Sequence, residues 1–88
     1  MTLKNAYKGM IFEIININLS QKMIERLNSI NIRIGLFYII DNFNDQKHIE
    51  FFIYDKINNI KISTFKLILS FHFLDKFEIK NIENKNFE

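Results

Sequence analysis

The chain has 88 residues, 48% of them hydrophobic and 25% charged, with 12 basic against 10 acidic side chains for a formal charge of +2. That length fits one domain and not two, and the composition is that of a globular protein, so disorder is not expected for the bulk of the chain. The absence of cysteine excludes disulfides, thiolate metal sites and a cysteine nucleophile together, and leaves the cytoplasm as the default location.

The near-balanced charge makes no case for nucleic acid by itself. A domain this small buries only about 60–65% of the surface its unfolded chain exposes, so it folds with little stability to spare. No apolar run approaches the roughly 20 residues that span a bilayer. MTLKNAYKG at the start lacks the apolar stretch of a signal peptide. No direct membrane insertion is expected. With no proline, turns fall to Gly, Asn and Asp.

Residues 1–7 read as a short lead-in. Gly9 then opens a run over 10–18 rich in Ile and Phe. Its imperfect alternation predicts a strand that is apolar on both faces or broken by a bulge. Ser20 changes the pattern. It is a good N-cap, followed by polar Gln21, Lys22, Glu25 and Arg26, while Met23, Leu27 and Ile30 recur at i, i+4, i+7. Leu19 and Ile24 hold the positions of a hydrophobic staple. The spacing predicts a helix of two to three turns, too short to persist without packing onto strands. Met23, Leu27 and Ile30 are expected to pin it there.

Asn31 falls where a left-handed residue ends a helix, and Gly35 suits a turn with positive φ. Residues 36–41 read as a short apolar strand, 41–47 as a polar hairpin loop, and 48–54 as a further strand before a turn at 55–59. Residues 60–63 alternate briefly. Residues 68–73 alternate again with Leu69, Phe71 and Phe73 on one face, which puts His72 on the outer face. A last short strand is expected at 77–80, and 81–88 reads as a frayed polar tail. The expected fold is mainly β: one domain over 1–80, a small SH3-like barrel of five to six strands, with one short α-helix between the first and second.

Catalytic signals are missing. There is no Ser or Thr in an elbow context, no base with an orienting partner and no glycine-rich phosphate loop. No enzyme is expected, and no cofactor. His48 lies near Asp41, Asp45 and Glu50 across a hairpin. His48, Asp45 and Glu50 are thus weak candidates for a divalent metal, against the plainer reading of a solvated loop with a cross-strand ion pair. The 10 phenylalanines are read as core rather than as a stacking platform. Because Phe51 and Phe52 are adjacent in one strand, one of them is expected to be exposed unless the helix or an oligomer covers it.

ERLNSINIRIG, residues 25–35, resembles the signature of the FeoA family, small accessory proteins of bacterial ferrous iron uptake. Arg26, Leu27, Ile30, Ile32 and Gly35 fall in register with the family pattern Arg-Leu-x-x-Leu-Gly-(Leu/Ile/Met)-x-x-Gly. Asn31 stands at the family glycine, Ile34 where proline commonly precedes the turn glycine, and Lys61 at a small residue. Gly9, Ile11 and Ile14 resemble the family's opening strand, and IKIS at 60–63 its Ile-Ala-Leu-Ser strand end. The resemblance implies an SH3-like barrel with one helix. It also implies a role supporting FeoB, a membrane ferrous iron transporter with a cytoplasmic GTPase domain. It carries over no catalytic activity and no agreed metal site.

The expected function is therefore an adaptor that binds the cytoplasmic part of such a transporter, through the exposed helix face and the groove beside it, with Lys22, Arg26 and Ser29 at the rim. Gly9, Leu27, Ile30, Asn31 and Gly35 are expected to shape the fold. A nucleic-acid-binding barrel and a metal-responsive regulatory module are the alternatives. A homo-oligomer could cover an exposed strand edge.

Overall fold

The computed structural model describes residues 1–44 and 47–82. Five strands form one antiparallel sheet: β1 (Ile11–Ile17), β2 (Phe37–Asn44), β3 (His48–Asp55), β4 (Ile60–Ser70) and β5 (Phe77–Asn81), in the order β4-β3-β2-β1-β5. The single α-helix, α1 (Gln21–Ser29), lies between β1 and β2. A six-residue 3-10 helix (Phe71–Lys76) carries the chain from β4 on one edge to β5 on the other. The result is a small barrel-like β domain with five strands among the described residues.

One core is filled from every strand. At its centre, Phe12 of β1, Tyr38 of β2 and Phe51 of β3 bring three rings within 5.4–6.0 Å of one another. Such ring pairs add to the stabilisation from burial alone. Tyr38 is fully buried, and its hydroxyl accepts from the Arg33 N–H at 3.0 Å and donates to the Asn31 carbonyl at 2.7 Å. Burial pushes its phenol up to about 12.

The sequence-level elements mostly hold, and their departures have physical causes. β1 carries a register shift between Ile14 and Asn16, the bulge anticipated from its broken alternation. β2 does not stop at Asp41. It runs on to Asn44, because a register shift between Ile40 and Asn42 lets these polar residues continue the ladder with β3. Residues 60–63 and 68–70 belong to one eleven-residue strand, β4, joined through a shift between Phe51 and Ile53 on the partner strand.

Phe71, His72 and Phe73 are not strand. Ser70 caps the 3-10 helix, its hydroxyl accepting from the His72 N–H, so the chain leaves the sheet just where the alternation suggested it continued. The lead-in is ordered as well: a 3-10 turn at Leu3–Asn5 buries Leu3 completely. Asn81 closes β5, and the Ile82 N–H donates to the Ile11 carbonyl at 3.0 Å, so the strand passes the expected boundary at 80. The rest of the expected tail, 83–88, lies outside the described residues.

Candidate partner-binding surface

α1 starts as its sequence dictates. The Ser20 hydroxyl accepts from the Met23 N–H at 3.3 Å, and Leu19 and Ile24 pack against the core. Its end is a Schellman motif. The Ile32 N–H reaches back to the Leu27 carbonyl and the Asn31 N–H to that of Asn28, around Asn31 at φ 69. This reversal buries Leu27 and Ile32 together in the core. It also corrects one expectation. Ile30 does not pin the helix; as the cap residue ahead of the reversal it is 51% exposed, and Ile32 takes the buried position.

Lys22, Arg26 and Ser29 form one exposed stripe along the solvent face of α1. The Ser29 hydroxyl turns back to donate to the Arg26 carbonyl at 2.6 Å. Lys22 and Arg26 make no ion pair among the described residues. Below the C-terminal end of this stripe lies a groove of about 440 Å³ between α1 and β4. Ile30, Ile53, Phe65, Leu67 and Ile68 form its apolar wall, with Ser29 and Lys66 at its polar edges. Of the three expected rim residues, only Ser29 lines the groove. Phe65 and Ile68 were not singled out by the sequence reading, yet they are 73% and 55% exposed. The signal available for them was weak: Phe65 stands between Thr64 and Lys66, and Ile68 breaks the alternation between Leu67 and Leu69.

The outer face of β2-β3-β4 carries a charged network. Glu50 sits between the His48 imidazole at 3.2 Å and the Lys66 ammonium at 3.0 Å, and Lys66 also reaches Asp41 at 3.6 Å. Lys61 lies 4.0 Å from Asp41. The hydrogen bond and charge of Glu50, then Asp41, raise the Lys66 pKa. The carboxylates near His48 are thus bonded to lysines, the arrangement of a cross-strand ion pair. Asp45 lies outside the described residues. Among the described residues no three His, Asp or Glu side chains converge on a metal position.

The aromatics are mostly core. Phe51 is fully buried and Phe52 only 7% exposed, so neither of the adjacent pair faces solvent. Phe52 is covered on the outer face by Lys61 and Lys66, whose ammonium groups lie 4.9 and 5.9 Å from its ring centre. Among the described residues Phe65 and Tyr7 are the exposed aromatics.

No family model, curated protein or solved structure matches the chain.

A second concavity, about 510 Å³, lies between the two 3-10 elements and the end of β2, where Phe43 and Phe71 meet edge to face at 6.3 Å. Lys4, His72 and Asp75 border it without converging on one point of chemistry. Among the described residues, no helix is long and apolar enough to cross a membrane.

Proposed function

We propose that this domain is a non-enzymatic cytoplasmic adaptor of FeoA type, which docks on the cytoplasmic part of a ferrous iron transporter of the FeoB kind. The observation that carries the reading is the α1–β4 groove. It sets an apolar wall (Ile30, Ile53, Phe65, Ile68) at the end of the exposed Lys22 and Arg26 stripe of α1, while Lys66 at its edge is paired with Glu50 and Asp41. An apolar cleft with a polar rim is how small adaptors hold a segment of another protein. The complementary segment has apolar side chains flanked by acids.

The residues behind the resemblance support this reading by their conformations. Asn31 and Gly35, at the two family glycine positions, both take positive φ, 69 and 93. Leu27 and Ile32 lie in the core. The pattern therefore shapes the helix exit, and the docking surface is what that exit leaves exposed.

A pull-down with the transporter's cytoplasmic GTPase domain tests the proposal. Wild type is retained, while Arg26→Glu and Ile30→Asp, both at exposed positions, are retained at least about tenfold less, the equivalent of 1.4 kcal/mol. No retention of wild type, or equal retention of the variants, contradicts it.

A further inference from the structure

The cavity of about 510 Å³ between the two 3-10 elements is built from ordered parts. One side is the turn at Leu3–Asn5, fixed by Leu3 in the core and by the Thr2 hydroxyl, which accepts from the Lys4 N–H. The other side is Phe71–Lys76, fixed by buried Leu74 and by the Ser70 cap. The Phe71 N–H also donates to the Lys47 carbonyl at 3.0 Å, and the Phe71 ring meets Phe43 edge to face. The walls therefore stand without a ligand, and the volume falls within the roughly 300–1,000 Å³ of small-molecule sites.

Its polar groups differ from those of the α1–β4 groove. There Lys66 is already paired with Glu50 and Asp41. Here Lys4 and Asp75, one on each 3-10 element, are exposed and make no ion pair or side-chain hydrogen bond among the described residues, with each other or elsewhere. His72 is exposed at the same mouth, bonded among the described residues through its backbone N–H alone. Between these groups Phe43 and Phe71 are half-buried and give the cavity an apolar lining. A ligand with a single charge is drawn by one of Lys4 and Asp75 and repelled by the other. A neutral apolar ligand uses neither. A small zwitterion with an apolar side chain matches both charges and covers the rings, the combination of apolar walls and a few placed polar groups that fixes a ligand's orientation.

We infer that this cavity binds a free apolar amino acid of phenylalanine size, with its carboxylate toward Lys4, its ammonium toward Asp75 and its side chain against Phe43 and Phe71. His72 offers the carboxylate a further hydrogen-bond donor. Both charges are open to solvent, so each contributes little and the affinity is weak, with a Kd on the order of 1 mM. The site is separate from the α1–β4 groove and does not rest on the transporter reading.

An NMR titration of the isotope-labelled full chain at neutral pH tests it. The probes are L-phenylalanine and its two singly charged analogues, phenylpropionate and phenethylamine. L-Phenylalanine is expected to give saturable amide shifts at Lys4, Phe43, Phe71 and Asp75, and each analogue to bind at least about threefold more weakly. Lys4→Gln and Asp75→Asn, both at exposed positions, weaken L-phenylalanine at least about threefold with unchanged far-UV circular dichroism. Lys4→Gln does not weaken phenethylamine, and Asp75→Asn does not weaken phenylpropionate, because each removes the charge that repels that analogue. Lys22→Gln, on α1, changes none of these affinities. No saturable shift up to about 20 mM, equal affinity for all three probes, or shifts centred on the α1–β4 groove would overturn the inference.

Discussion

At Asn31 the chain leaves α1 with φ 69, a conformation that costs most L-residues about 1–2 kcal/mol and asparagine less. Asn31→Ala is expected to lower stability by about 1 kcal/mol, a fall in melting temperature of roughly 4–8 °C for a domain of this size, while Asn31→Gly stays within about 0.5 kcal/mol of wild type. Thermal unfolding of the pair separates a backbone role from a side-chain role. Tyr38 reads this same turn from the other side. Its phenol titrates near 10 when unfolded and about 12 when folded, so above pH 10 the unfolded chain binds fewer protons than the folded one. Stability is therefore full below pH 10 and falls between 10 and 12, by on the order of 2 kcal/mol. Tyr38→Phe removes that component of the decline. It also costs about 1–2 kcal/mol at neutral pH, by leaving the Arg33 N–H and Asn31 carbonyl without their partner. Denaturant melts of both proteins at pH 7 and 11 check both effects.

At the scale of elements, α1 was legible because its signals are local: Ser20 as cap, the apolar spacing, and Asn31 as terminator. What could not be read was which apolar residue faces in after a reversal. Helical periodicity puts Ile30 with Leu27, but the Schellman turn hands that role to Ile32. Leu27→Ala is accordingly expected to cost about 2–4 kcal/mol and Ile30→Ala under about 0.5, measured by urea unfolding. Ser20→Ala should cost about 1 kcal/mol, since the Met23 N–H loses its acceptor. The β elements were legible in their succession along the chain, except that 60–63 and 68–70 proved to be one strand. Their ends were not, because β2 and β4 are extended by bulges, and a bulge breaks the period-two pattern that reveals a strand. The same bulge on β4 hid the groove wall, as Phe65 and Ile68 gain their exposure from it and from the edge position. The carboxylates around His48 were legible as a cluster, but their lysine partners come from β4, sixteen positions away in the case of Lys66 and Glu50. Glu50→Gln is expected to bring the Lys66 pKa down toward its ordinary value, with lysine-selective NMR as the readout.

For the molecule as a whole, one small core supports every surface just described, so changes at exposed positions separate binding from folding while changes in the core do not. The polar half of α1 faces solvent, and the charged sheet face pairs its acids with its lysines. What remains unspent is the cationic stripe of α1 and the apolar groove at its end, which is why the account assigns binding there. The most direct measurement is an NMR titration of the isotope-labelled chain with the transporter's cytoplasmic domain, following each backbone amide. The account predicts shifts concentrated at Lys22, Arg26, Ser29 and Ile30 on the helix and Phe65–Ile68 on β4, with the cavity bordered by Lys4, Phe43 and His72 unmoved. Shifts centred on that cavity, or none at saturating partner, would contradict it.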